Sequence, residues 1–196
     1  MESQKYNDIR SLLHRYGTAV SETRSHARER SSFGRYRAGA PYFEQYPLRA
    51  AFGEAVAAGM TLSDEFHREY DLITRELAAP DLEGSRAYRE ELYRDLVSYI
   101  EVYRTAVSFH ELGMGSLSDL APPSLRQEIG ILLCELKKDF SLGDLECEVG
   151  MLDATLRAAG SEVQPETGDM ASAEGYPDAV AGYPVLVRKK GWAGAR

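Results

Sequence analysis

The 196-residue sequence contains little cysteine and no long apolar run. Its two cysteines, Cys134 and Cys147, are too few for a disulfide framework, and we expect both thiols to be reduced. The first residues are polar, and no apolar stretch approaches the roughly 20 residues that are needed to span a bilayer. These absences predict a cytoplasmic protein that has no membrane partner.

The sequence also lacks the motifs of common catalytic and metal centres. Neither a nucleophile elbow nor a glycine-rich phosphate loop is present. Asp64, His67 and Asp71 could share one helix face, but a di-iron bundle needs two Glu-x-x-His pairs, and this chain has none. We therefore predict a protein that is not an enzyme and that needs no cofactor or metal. A metal-binding helical bundle is the alternative.

Charge is distributed unevenly along the chain. The net charge of −8 and the pI of about 5.1 do not favour a nucleic-acid partner for the whole molecule. However, seven arginines and only two glutamates lie between Arg10 and Arg37, and the last nine residues hold four cations. An acidic body between basic segments indicates a self-complementary or mixed-charge docking surface. The alternative is that these charges are solvated on helix faces.

Apolar residues recur at spacings of three and four, which is typical of helices. Helices are predicted from about residue 3 to 20, 42 or 48 to 58, 61 or 63 to 77, 85 to 112, 122 or 124 to 136, and 141 to 160. The apolar stripe of the first helix fades after Val20, and the polar residues 21–32 are a candidate solvated extension of it. Glycines and prolines between Phe33 and Pro47 predict a loop or a broken connection there. The expected fold class is all-α, an antiparallel bundle of four to six helices.

Composition divides the chain near residue 160. Residues 1–160 are the predicted helical bundle domain, with a four-helix part at 6–110 and a helical hairpin at 121–160. Glycine, proline, alanine, serine and acidic residues dominate after that, so we expect 161–196 to be a disordered, flexible tail with a basic end. The tail holds a candidate motif that docks on a partner or back on the bundle, unless it is a frayed end: Leu186, Arg188, Lys189, Lys190 and Trp192.

Arginines and aromatic residues alternate after the first predicted helix. The candidate partner-binding residues are Arg28, Arg30, Phe33, Arg35, Tyr36, Arg37, Tyr42 and Tyr46. They suit an acidic protein surface, since Arg supplies charge and the rings supply rigid contact area. The same pattern over residues 24–37 suits single-stranded nucleic acid, which is a further alternative. The twelve tyrosines of the chain indicate either an interface or the rim of the core.

The middle helices resemble those of a known family. Residues 48–63 (LRAAFGEAVAAGMTLS) form a helix, a glycine and an apolar-Ser/Thr-x-Ser turn, and the likeness continues through 69–77 (EYDLITREL) and 102–107 (VYRTAV). This pattern is similar to the four-helix domain shared by the C-terminal part of the clock protein KaiA and the N-terminal part of the phosphatase RsbU. The resemblance covers residues 6–110, a little over half of the chain.

This resemblance implies a non-catalytic role. Domains of the family dimerise and bind a regulatory protein, often one related to kinases or phosphatases, and so switch the activity of another protein. We therefore expect a regulatory or adaptor protein in signalling, a homodimer that acts by protein–protein binding. The partner itself is not identified by the sequence.

Overall fold

The computed structural model describes residues 2–29, 37–122 and 124–159, all within one compact unit, Met1–Val163. The described residues form seven helices and no strand, which confirms the all-α fold class. The helices are α1 (Glu2–Glu29), α2 (Ala40–Ala57), α3 (Asp64–Leu77), α4 (Arg86–Glu111), α5 (Leu117–Leu120), α6 (Leu125–Leu136) and α7 (Gly143–Ala158). The predicted flexible tail, 161–196, lies outside the described residues.

Helices α1, α2 and α3 pack together through aromatic and polar contacts. The ring of Tyr6 meets Phe66 at the start of α3, and the hydroxyl of Tyr16 lies 3.4 Å from that of Thr74 near its end, so α1 and α3 run in the same direction. Helix α2 runs opposite to α3, because Gln45 near the start of α2 donates to the Tyr70 hydroxyl whereas Phe52 further along α2 stacks on His67, nearer the start of α3. α2 and α3 are therefore antiparallel, in agreement with the predicted antiparallel bundle.

Helices α4, α6 and α7 form the second part of the bundle. α6 and α7 make an antiparallel hairpin, joined at one end by Arg126 and Asp153 and at the other by Lys137 and Glu146. The hairpin packs on α4, where the Tyr103 hydroxyl donates to Asp153 at 2.8 Å. Apolar side chains of α4 and α6 are buried between these helices: Leu92, Leu96, Ile100, Leu125, Ile129, Leu132 and Leu136.

Helix α2 decides between the two predicted starts, about Tyr42 or Leu48, in favour of the earlier one, and it excludes a loop that continues to Pro47. The helix already begins at Ala40, with Pro41 in its first turn, where a missing N–H is tolerated. Pro47 lies inside the helix, which is unusual because proline removes one helical hydrogen bond. Burial of Tyr42 and Leu48 against neighbouring helices outweighs this loss.

The helix ends agree better with the sequence. Gly59 follows α2 with a φ of 74°, and its N–H donates to Val56 O while the N–H of Met60 donates to Ala55 O. Glycine adopts this left-handed conformation without strain, which confirms the predicted end of the helix. α1 continues past Val20 to Glu29, so the polar residues after Val20 extend the helix beyond the end of its apolar stripe. Among the described residues, every helix is too short or too polar to cross a membrane.

Candidate protein-binding surfaces

The connection that leads from the arginine-rich segment into α2 is held by α4. The Tyr88 hydroxyl donates to the carbonyl oxygen of Ala38 at 2.8 Å. The Asp95 carboxylate accepts from the backbone N–H groups of Ala38 and Gly39, although burial still raises its pKa. Gly39 is needed for close packing here, since an added Cβ would lie 2.5 Å from the Phe43 ring. The start of α2 is thus fixed from a distant part of the chain.

The Arg37 guanidinium contacts this junction in two ways, through an ion pair and through cation–π contacts. It lies 3.0 Å from Oε2 of Glu128, a side chain that is only 8% exposed. The same group lies 5.9 Å from the ring centre of Phe43 and 5.5 Å from that of Tyr99. Burial raises the pKa of Tyr99 to about 12. The Arg37 side chain remains half-exposed, so it closes the junction from outside.

Tyr42 lies inside the same junction. It is 1% exposed, and its hydroxyl donates to Glu83 at 3.0 Å and accepts from Arg89 at 3.4 Å. Burial raises the pKa of Tyr42 well above 10 and raises that of Glu83 above its usual value. Arg89 also donates to the carbonyl oxygen of Glu135 at 2.6 Å and pairs with Asp139. One guanidinium therefore connects α2, α4 and the end of α6.

Tyr46 is one turn further along α2 and half-buried. Its hydroxyl donates to a carboxylate oxygen of Glu135 at 3.3 Å, and Lys138 pairs with the other oxygen at 3.2 Å. Burial raises the pKa of Tyr46 as well. Both tyrosines thus use their hydroxyl groups within the bundle.

The structure places the predicted partner-binding residues in different surroundings. Arg37 and Tyr46 both contact carboxylates of α6, those of Glu128 and Glu135, while Tyr42 is buried and has no surface to offer a partner. Arg28 is on α1, but its side chain lies outside the described residues. The other candidates of this segment also lie outside the described residues: Arg30, Phe33, Arg35 and Tyr36. The same is true of the tail candidates: Leu186, Arg188, Lys189, Lys190 and Trp192. For Tyr42, Tyr88 and Tyr103, the alternative that tyrosines belong to the core is correct. The binding role of the other residues stays a prediction.

An exposed apolar surface at the end of α4 was not predicted. Phe109, Leu112 and Met114 are exposed by 40%, 72% and 64%. Gly113 turns the chain with a φ of 67°, and the N–H of Met114 donates back to Phe109 O at 3.0 Å. This motif brings the side chains at its two ends together. We name these three residues the α4-end patch.

A groove between α1 and α3 is the second surface feature. It has a volume of about 380 Å³ and is open to solvent. Its floor is apolar, and its rim carries acidic and histidine side chains. Eight residues define what we name the α1–α3 groove: Leu13, His14, Gly17, Thr18, Ser21, Glu22, Glu69 and Ile73.

The candidate metal and thiol residues take ordinary positions. Within residues 2–29, 37–122 and 124–159, no three His, Cys, Asp or Glu side chains lie close enough together to hold a metal ion. The His67 ring stacks on Phe52 with its centre 6.2 Å away. Cys134 is half-buried, Cys147 is exposed, and neither forms a disulfide.

The comparisons with known proteins leave the family open. No protein-family model, curated protein or solved structure matches this chain. The resemblance to the KaiA and RsbU domains therefore stays a prediction. Function has to be inferred from the geometry of the helices.

Proposed function

We propose that this protein is a non-catalytic regulatory or adaptor protein that acts by binding another protein. The α4-end patch is the observation on which this proposal depends. Large apolar side chains that are exposed side by side mark protein interaction sites more often than isolated ones do. Covering Phe109, Leu112 and Met114 would remove apolar surface from water, which favours association by about 25 cal/mol per Å².

The fixed end of the arginine-rich segment supports a second contact region. Residues 30–36 connect α1 to Arg37, which is held by Glu128 and two aromatic rings. Anchoring the neighbouring backbone reduces the entropy that is lost when a segment binds. Arg30 and Arg35 would then supply charge to an acidic protein partner.

The proposed partner is a protein related to kinases or phosphatases, as the KaiA and RsbU resemblance implies. In this proposal the protein works in the cytoplasm as a homodimer. A twofold dimer buries the same patch on both copies, so an apolar patch such as the α4-end patch suits it. Light scattering on a sizing column at micromolar concentration should give the mass of two chains, and the mass of a single chain would contradict the dimer.

The binding proposal is tested by native co-purification with the double variant L112S/M114S. We expect wild type to retain one stoichiometric protein partner that survives nuclease, and we expect the variant to lose it. The matched control is V56S/L72S, because Val56 and Leu72 are exposed by 53% and 59% on other helices. The control should retain the partner.

Two outcomes would contradict this proposal. Equal retention by L112S/M114S and V56S/L72S would show that the α4-end patch is not the binding site. Partners that disappear with nuclease would instead favour the arginine-rich segment as a nucleic-acid site. The structure disfavours that alternative in one respect, because the charge of Arg37 is already paired with Glu128.

A further inference from the structure

The α1–α3 groove has an apolar floor between two helices that run in the same direction. Leu13 on α1 and Ile73 on α3 form this floor, and Gly17 contributes no side chain above it. An added Cβ on Gly17 would lie 3.2 Å from Cδ1 of Ile73, so these two residues lie at the same level of the two helices. The groove has a volume of about 380 Å³ and is open to solvent. It can therefore accept one large apolar side chain from outside.

Three polar side chains complete the α1 side of the groove. His14, Thr18 and Ser21 line it, and all three are exposed. The Thr18 hydroxyl donates to the carbonyl oxygen of His14 at 3.0 Å, so its proton is already used within α1. Neither hydroxyl group carries a charge. The ionic character of the groove therefore comes from His14 and from two glutamates.

These two glutamates lie at opposite ends of the groove. Glu69 is four residues before Ile73 on α3, and Glu22 is five residues after Gly17 on α1. Because α1 and α3 run in the same direction, Glu69 lies about 6 Å before the floor along the helix axis and Glu22 lies about 7.5 Å after it. Both are exposed, and neither forms an ion pair or a side-chain hydrogen bond with another described residue. The apolar floor is therefore flanked by two carboxylates that are open to a ligand.

Charge selects the class of partner that fits this groove. Helix α3 contains five carboxylate side chains and two arginines, and the whole chain has a net charge of −8. Carboxylates at both ends of the groove repel nucleic acids and anionic lipid surfaces, and they attract lysine and arginine. A helix that lies in a groove presents to it residues three and four apart. Its cations can therefore reach both carboxylates when they stand one turn before and one turn after the apolar side chain.

We propose that the α1–α3 groove binds a helix of another protein, one that carries a large apolar residue with a lysine or arginine four residues before it and another four residues after it. The apolar side chain covers Leu13, Gly17 and Ile73, and the two cations pair with Glu22 and Glu69. Such cations are about 12 Å apart along their helix, close to the roughly 13.5 Å between the two glutamates along the groove. The proposal goes beyond the proposed function and does not depend on the α4-end patch.

Titration of the full-length protein with two peptides, followed by amide NMR spectra, tests the proposal. The matched peptide is an alanine-based helix with one central leucine and a lysine four residues to either side. The shuffled peptide has the same composition, but its lysines stand two residues from the leucine and so point to other faces of the helix. We expect the matched peptide to shift the amide signals of residues 13–22 and 69–73. It should bind at least about fivefold more tightly than the shuffled peptide, because only its lysines reach both carboxylates.

Charge reversal in the protein identifies the two carboxylates. The variant E22K/E69K should weaken binding of the matched peptide by about tenfold or more, and a peptide with glutamates in place of both lysines should bind this variant instead. The control E101K/E111K reverses two exposed carboxylates on α4 and should bind the matched peptide as wild type does. Far-ultraviolet circular dichroism checks that each variant is folded, and binding of the glutamate peptide excludes misfolding as the cause of the loss.

Four results would overturn the proposal. Unchanged signals of residues 13–22 and 69–73 would show that the groove does not bind such a helix. Equal affinities of the matched and shuffled peptides would show that the spacing of the cations is not recognised. Equal losses for E22K/E69K and E101K/E111K would reduce the binding to a general attraction by an acidic protein. Shifts of the same signals with protein concentration, without any peptide, would show that a second copy occupies the groove.

Discussion

Arg37 belongs to the alternating pattern of arginines and aromatic residues, but its contacts in the structure differ from those that the pattern predicts. Alternating arginines and aromatics indicate a binding segment, but Arg37 neutralises the buried Glu128 and stacks on Phe43 and Tyr99. Glu128 is distant in sequence, and nothing near it predicts that its carboxylate is buried. The partner of Arg37 therefore could not be found from local spacing.

We predict that R37A lowers the free energy of unfolding by about 1–3 kcal/mol, because it leaves the Glu128 carboxylate buried without its counter-charge. The double variant R37A/E128Q should recover part of the lost unfolding free energy, because the glutamine amide at position 128 carries no charge. Urea unfolding followed by circular dichroism at neutral pH measures the difference. R15A is the matched control, because Arg15 pairs with Glu44 on the exposed surface and should lose less than about 1 kcal/mol. Equal losses for R37A and R15A would contradict the prediction.

At the scale of elements, most helices could be predicted and α2 shows the limit. Apolar spacing and the glycine at 59 are local features, so α3, α4 and the end of α2 lie close to their predicted places. Prolines and glycines are concentrated before residue 48, so the sequence leaves the start of α2 open between Tyr42 and Leu48. Contacts from α4, through Tyr88 and Asp95, stabilise this start, and they are not local.

We predict that P47A raises the free energy of unfolding by roughly 1–3 kcal/mol. Alanine restores the backbone donor that Pro47 lacks inside α2, and it loses only the packing of a half-buried ring. Thermal and urea unfolding at neutral pH both measure the change. P41A is the control, because Pro41 is in the first turn, where a backbone donor is not needed. A gain for P41A as large as that for P47A would refute this explanation.

At the scale of the whole molecule, a polar junction connects the two parts of the bundle. Arg89 on α4 binds Tyr42 on α2, the carbonyl oxygen of Glu135 on α6, and Asp139 beyond α6. Each of these partners is far from Arg89 in sequence. The junction therefore holds α2 and α6 against α4 through one side chain.

We predict that R89A loses about 2–4 kcal/mol of unfolding free energy, since several buried acceptors lose one shared donor. Amide exchange should become faster in the first half of α2 and the last turn of α6 together. R86A is the control three residues earlier, where Arg86 forms an exposed pair with Glu90 and should contribute about 0.5 kcal/mol or less. Faster exchange in α4 alone would contradict the shared role of Arg89.

The sequence by itself determined the helical class and most helix ends, because periodicity and capping act over a few neighbouring residues. Tertiary structure alone decided which polar groups are buried. Tyr42 and Glu128 became internal and meet Arg89 and Arg37 from distant parts of the chain, whereas Leu112 and Met114 stayed exposed. Burial depends on contacts between distant segments, and local spacing does not contain them.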